Sequence, residues 1–411
     1  MANLIRNRTI VILLAVFMLG LCSGCATIRH AVPQDLVSKA QLDGMTEIRT
    51  MIGIPNPELQ KSILKSIVED KAGDYPVDSE GNRVYPMLAI SGGAANGAYG
   101  AGLLKGWSEE GSRPVFKIVT GVSTGAIIAP LVFLGKDYDG IMEKLYTTMS
   151  TKDVMRSKRP FQALLGNSLA NNAPLERQLE KYIDDKVLVE VAKEHRRGRR
   201  LFVGTTFLDA QRFVIWDMGA IACRGDIKLF RKVILASAAI PIMFPPVYIH
   251  VEADGKAYDE MHVDGGTITQ VFTLYKVLQN AESVAKEEGV DLKKLGIDPA
   301  KIKGKYYIIR NGYVSPGYKV VKDNLGSIAD RAFDTMINYQ GIGDTYRIYT
   351  FMKQRGNDYN LAFIPGDFRP PSKEGFDPQA MRALFDRGYQ DAVKGYKWHK
   401  APPGMETETV R

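Results

Sequence analysis

From about residue 84 the chain alternates short apolar runs, glycine-rich turns and stretches of helical periodicity, and this alternation constrains the fold most. Met87-Leu88-Ala89-Ile90-Ser91, Phe116-Lys117-Ile118-Val119-Thr120, Leu201 to Thr206 and Tyr306 to Arg310 read as buried strands. Strands apolar on both sides of the pleat belong in a mostly parallel sheet with helices covering both faces. Upstream, Asn56-Pro57 reads as an N-cap and first helical position, followed by Leu59, Ile63 and Ile67 at helical spacing. Near the end, Asp377 caps a helix whose packing face carries Met381, Leu384, Phe385, Gly388 and Ala392. Hydrophobic content of 45% and charged content of 24% over 411 residues exclude a disordered, collagen-like or polytopic membrane chain.

The N-terminus reads as a targeting segment. Arg6 and Arg8 precede an apolar run from Ile10 to Leu21, which is shorter than the roughly 20 residues of a membrane-spanning helix. Ser23-Gly24-Cys25 then resembles a bacterial lipoprotein cleavage site, with Cys25 as the acylated residue. An ordinary secretory signal cut nearby is the other reading. Cys22 fits worse, because bulky Leu21 precedes it. With Cys25 acylated, Cys223 is the one remaining thiol, so no internal disulfide forms. Cys223 sits in an apolar setting that suits a buried, inert thiol.

Three short stretches carry chemistry. Gly121-Val122-Ser123-Thr124-Gly125 is a G-x-S-x-G pentapeptide between a strand and a helical stretch. Serine there sits on a sharp turn, and the flanking glycines let strand and helix pack closely beneath it. Ser91-Gly92-Gly93-Ala94-Ala95-Asn96-Gly97 follows another strand; its small residues leave backbone N–H groups open beside a helix N-terminus. It is neither a P-loop nor a dinucleotide fingerprint. Val263-Asp264-Gly265-Gly266 places a carboxylate at a strand end, where an Asx-turn would be the ordinary outcome.

In that order, the three stretches resemble the patatin-like phospholipase family, with its glycine-rich oxyanion loop, G-x-S-x-G elbow and Asp-Gly-Gly/Ala motif. Ala236-Ser237-Ala238-Ala239-Ile240-Pro241, followed by Phe244-Pro245-Pro246, is similar to the family's segment before its aspartate. The resemblance covers about residues 85–275 and continues weakly through Arg310-Asn311-Gly312. It implies a three-layer α/β/α sandwich with a mostly parallel central sheet, acting on lipid acyl esters through a Ser–Asp dyad. Ser123 would be the nucleophile and Asp264 its base. The amides of Gly92, Gly93 and Ala94 would form the oxyanion hole, and the position after a nucleophile adds Thr124. Gly121, Gly125, Gly265 and Gly266 complete the motifs.

Two residues depart from the family pattern. Ala94 replaces its third glycine, and its amide serves the hole only if its φ is not positive. Asn96 replaces a basic residue. A catalytically weak lipoprotein that binds lipid or a partner is therefore the competing reading. The expected organisation is a signal peptide over 1–24, a stalk and helical extension over 25–83, a patatin-like core over 84–275, and a C-terminal α/β and helical extension over 276–411 packed on the core.

Chemistry alone would ask for a histidine base. The chain has five histidines, and His250 and His262 flank a hairpin tip at Ala253-Asp254-Gly255. A serine, aspartate, histidine order would leave only His399, in the tail. A carboxylate held against Ser123 in a water-poor site needs no histidine. No cofactor or metal is expected, since no ligand cluster is visible. The formal charge of +8 is too dilute for a nucleic-acid binder. Arg196, Arg197, Arg199 and Arg200 form a basic run that reads either as a headgroup contact or as a solvated loop. The expected partners are a lipid substrate and a membrane reached through the N-terminal anchor. Ala26 is not the aspartate of inner-membrane retention, so the resemblance implies the outer membrane, facing the periplasm, if the cell is Gram-negative.

Overall fold

The strands of the computed structural model are, in chain order, β1 (Arg49–Met51), β2 (Arg83–Ile90), β3 (Ile118–Val122), β4 (Arg156–Ser157) and β5 (Ala170–Asn171). There follow β6 (Arg200–Phe207), β7 (Arg212–Asp217), β8 (Val247–Ala253), β9 (Lys256–Asp264), β10 (Ile302–Tyr313) and β11 (Asp358–Ile364). Residues 29–405 are described, except 43, 55, 69, 72, 275–284, 287–288, 290–301, 316 and 373–374, so the leader and Cys25 lie outside the description.

The main sheet runs β1-β7-β6-β3-β2-β10-β11, with β9 on the far half of β6 and β8 on β9. From β6 through β11 the pairs are parallel, while β1, β7, β8 and β9 join antiparallel. The result is a three-layer α/β/α sandwich. The pleat sorts the core. Leu88, Ile90, Val119, Leu201, Val203, Tyr307 and Ile309 face one layer of helices, among them Gly97–Glu110, Thr124–Leu134 and Pro378–Val393. Ile118, Val122, Phe202, Tyr306 and Ile308 face the helices Pro57–Val68 and Leu325–Gln354. Strand β3 begins two residues later than the sequence suggested and runs to Val122, which delivers Ser123 at its parallel carboxyl end.

The segment expected as a stalk is woven into the sheet from residue 29 on. Strand β1 pairs β7, and Gln41 bridges Glu252. The buried Arg49 guanidinium forms an ion pair with buried Glu260, donating from Nη2 to Oε1 at 3.0 Å. The basic run also differs from both of its readings. Arg199 and Arg200 are buried: Arg199 donates to the Phe116 carbonyl and Arg200 to that of Ser62, which ties the sheet to its flanking segments. Arg196 and Arg197 are left toward solvent.

At the C-terminus the expected helix forms, with Asp377 accepting from the Ala380 amide. It crosses the Gly97–Glu110 helix at glycines: a Cβ at Gly102 would lie 2.0 Å from the Phe385 carbonyl, and one at Gly388 2.3 Å from that of Tyr99. Strand β10 lies between β2 and β11, so the C-terminal extension contributes an interior strand of the sheet. The first half of the Leu325–Gln354 helix stands clear of the sheet and exposes Leu325, Ile328, Met336 and Tyr339.

Candidate active site

Ser123 follows β3 and caps the helix Thr124–Leu134, at φ 55° and ψ −121°. A side chain rarely adopts this left-handed conformation, and here the surroundings hold it in place. A Cβ at Gly121 would meet the Gly125 carbonyl at 2.3 Å, and one at Gly125 the Ile90 carbonyl at 2.3 Å. Both glycines are therefore required by close approach. The Ser123 amide donates to Ser237 Oγ at 2.9 Å, and Ser237 Oγ donates to the Gly204 carbonyl at 2.7 Å. Ser237 is fully buried, so its hydroxyl fastens the turn to β6.

Asp264 ends β9, paired with Thr205 of β6. Its amide donates to the Ala239 carbonyl at 2.9 Å. The Ala236–Pro241 block thus holds both residues, Ser123 through Ser237 and Asp264 through Ala239. The Asp264 carboxylate accepts from the Gly266 amide at 2.7 Å, and the Ser123 hydroxyl lies near enough to favour its ionised form. A Cβ at Gly265 would strike the Gly204 carbonyl, and one at Gly266 the Gln270 side chain. Burial pushes the carboxyl up to about 7, and the influence of Ser123 and the Gly266 amide only partly offsets it.

The glycine loop leaves open only some of the amides expected for an oxyanion hole. The Gly92 amide is taken by the Gln270 carbonyl at 3.0 Å, so it is withdrawn from that role. Among the described hydrogen bonds, the amides of Gly93, Ala94 and Thr124 have no acceptor within the protein. Ala94 sits at φ +49°, contrary to the condition placed on it. Alanine takes the conformation a glycine would hold there, at a cost of about 1–2 kcal/mol. Its amide is nonetheless unengaged, and Ala94 lines the cavity beside Ser123. Gly93, at φ +157°, passes so close to Asn311 that a Cβ would lie 2.2 Å from the Asn311 carbonyl.

Asn311 is a residue that sequence reasoning left without a role. Its amide donates to Ser91 Oγ at 2.8 Å, its Nδ2 to the Ser91 carbonyl at 3.0 Å, and its Oδ1 accepts from the Gly100 amide at 3.1 Å. Gln270 is another: its Nε2 donates to the Gly266 carbonyl at 2.9 Å and its amide to Asp344 at 2.7 Å. It thereby couples the aspartate loop to the glycine loop. Ser237 and Asn311 fall within stretches that were legible in the sequence, whereas Gln270 and Asp344 carried no signal.

The histidines are engaged elsewhere. His262 is fully buried, with Nδ1 against Thr205 Oγ1 at 2.9 Å and Nε2 against Glu260 Oε2 at 3.0 Å. Burial lowers its pKa. Burial raises and Arg49 and His262 lower the Glu260 pKa, the second influence prevailing to hold it at about 2. His250 lies on the surface against Asp259, and His399 stacks on Phe363. Cys223 is half-buried, its pKa raised by burial. Among the described residues, no group of three or more His, Cys, Asp or Glu could hold a metal, and no helix is long and apolar enough to cross a membrane.

Over Ser123 lies a cavity of about 660 Å³ of free space, its open mouth included. Ile127, Leu145, Met149, Leu179, Phe244 and Met381 wall it, with Ala94 and Thr124 at the serine end. Such a lining suits a flexible apolar ligand.

Residues 88–275 match the family model of patatin-like phospholipases. The chain carries a patatin-like phospholipase domain. The matched segment contains the elbow, the glycine loop and the aspartate motif. In solved structures, the chain is similar to VipD from Legionella pneumophila at 12% identity and a TM-score of 0.37, over 78% of this chain and 70% of that one. It is also similar to ExoU, solved as the full-length protein with full-length SpcU from the type III secretion system of Pseudomonas aeruginosa. That match has 16% identity and a TM-score of 0.27, over 76% of this chain and 52% of ExoU, so it spans about half of that protein. No curated protein matches the sequence.

Proposed function

We propose that this protein is a membrane-anchored serine lipid acyl hydrolase, with Ser123 as nucleophile and Asp264 as its base. The observation that carries the reading is a serine in an elbow conformation, set beside a buried carboxylate at the floor of an apolar cavity. Ser123 Oγ attacks the acyl carbonyl carbon as its proton passes to the Asp264 carboxylate. The amides of Gly93, Ala94 and Thr124 stabilise the tetrahedral oxyanion, assisted by the positive end of the Thr124–Leu134 helix. Collapse breaks the ester bond, and the leaving alcohol takes the proton from Asp264. Water then attacks the acyl-enzyme carbonyl, gives a proton to Asp264 and releases the fatty acid, and Ser123 regains its proton. The apolar cavity receives the acyl chain, as suits a phospholipase A-type, lysophospholipase or esterase activity.

A serine-directed fluorophosphonate probe tests this. Labelling of the wild type, lost in Ser123→Ala and strongly reduced in Asp264→Asn, is the expected result. A folded wild type that does not label would favour a second reading, a lipid-binding protein with little catalysis, which Ala94 in its left-handed conformation and Asn96 in the loop both support. The anchor belongs to this proposal too. Acylation at Cys25 would hold the enzyme at the outer membrane, facing the periplasm, and metabolic palmitate labelling abolished by Cys25→Ala is the expected outcome.

A further inference from the structure

Two residues lining the cavity, Val154 and Leu175, stand at the feet of an arm formed by residues 155–172. Strands β4 and β5 close its base, pairing Arg156 with Asn171 and Ser157 with Ala170. The arm is tied down at one further place. The Leu169 amide donates to the Ile242 carbonyl at 2.8 Å and the Ala170 amide to the Met243 carbonyl at 2.9 Å. Ile240 and Phe244, on either side of that tether, line the same cavity. Arm, tether and cavity wall are one continuous piece of structure.

The arm presents apolar side chains to solvent. Its short helix, Pro160–Leu164, buries none of its residues. Phe161 is 70% exposed and Leu164 81%, and Leu165 and Leu169 are exposed beside them. Positions 161, 164 and 165 share one side of a helical turn. Ile242, 67% exposed, joins them from the tether at φ +73°, a conformation that β-branched residues rarely adopt. Isolated exposed apolar residues are ordinary, but several on one projection form a patch that calls for a partner. The charge beside the patch has one sign. Arg156, Lys158 and Arg159 lie on the arm, which contains no acidic residue.

We propose that this arm is the surface by which the protein docks on an anionic lipid bilayer. Phe161, Leu164, Leu165, Leu169 and Ile242 enter the outer acyl region, while Arg156, Lys158 and Arg159 meet headgroup phosphates. The positive charge fits an anionic surface. The patch adjoins the cavity over Ser123, so an acyl chain passes from the bilayer into the protein without crossing water. The inference rests on the lipid-hydrolase reading for its purpose but not for its test.

The test uses the full-length protein carrying Leu164→Trp, on vesicles of phosphatidylcholine with or without phosphatidylglycerol, doped with acyl-chain nitroxide lipids. With the proposed anchor at Cys25 every variant is held on the vesicle, and quenching of the added indole reads the placement of the arm; without it, quenching reads docking by the arm itself. The expected result is quenching beyond that of the unsubstituted protein on the anionic vesicles, abolished when Arg156→Glu, Lys158→Glu and Arg159→Glu are combined. Phe161→Asp with Leu164→Asp should slow phosphatidylglycerol vesicle hydrolysis by roughly tenfold and leave a soluble short-chain ester unaffected. An unquenched indole on anionic vesicles overturns the proposal. So does self-association through the arm, detected by sedimentation and lost in Leu164→Asp. Failure of the wild type to hydrolyse the soluble ester counts against Ser123 chemistry alone, because quenching does not depend on turnover.

Discussion

At the scale of single residues, the proposed chemistry turns on the Asp264 carboxyl. Burial pushes it up to about 7, whereas the Ser123 hydroxyl and the Gly266 amide favour its ionised form. A base acts only when ionised, so kcat/KM for a soluble ester should rise up to about pH 7 and level off above it. A profile flat across that range would remove Asp264 from the step. The same shift bears on stability. The folded pKa lies above the unfolded value of about 4, so the folded state holds the proton more tightly. Stability is therefore lost as pH rises from about 4 through about 7. Urea denaturation should show Asp264→Asn gaining on the wild type above pH 7, by a few kcal/mol at most, and differing little below pH 4. Its hydrolysis should fall by about three orders of magnitude. At Ala94 the strain is relieved by glycine. Ala94→Gly should retain activity and gain up to about 1 kcal/mol, the relief outweighing the entropy that glycine adds to the unfolded chain.

Among the elements, the elbow depends on a neighbouring helix. Ser237, the last residue of the Ile227–Ser237 helix, accepts from the Ser123 amide and donates to β6. Ser237→Ala leaves that buried amide without an acceptor, which costs about 1–3 kcal/mol. Because the lost bond orients the nucleophile, kcat should fall more than KM changes; a variant destabilised with unchanged kcat would make Ser237 a packing residue only. The glycine loop depends in the same way on β10, through Asn311. An oxyanion loop made of small residues has no side chains of its own to fix it, so its geometry is imposed by the strand beside it.

Across the whole molecule, residues far apart in the chain share one core. Arg49, near the N-terminus, meets Glu260 on β9, and Glu260 in turn holds His262, two residues before Asp264. Arg49→Ala would strand a buried carboxylate. It should cost about 3–5 kcal/mol in chemical denaturation, although Arg49 lies outside the segment that matches the patatin-like family. A loss below about 1 kcal/mol would show that the N-terminal segment is dispensable to the fold. At the other end, the Pro378–Val393 helix packs on the Gly97–Glu110 helix that the glycine loop leads into, so both termini brace the site.

Local patterns in the sequence determined the class of fold, the strands that feed the site, the caps at Asn56 and Asp377, and the identity of Ser123 and Asp264 as candidates. Each of these depends on neighbours within a few residues: a pleat, a turn, a capping side chain. Tertiary structure alone decided that the segment from residue 29 to 83 joins the sheet and that Arg199 and Arg200 are buried. It also decided that Gly92 spends its amide on Gln270, and that Ala94 adopts a left-handed conformation. The first three depend on partners more than twenty residues away, and periodicity and spacing encode which face of an element is apolar, not which distant group will meet it.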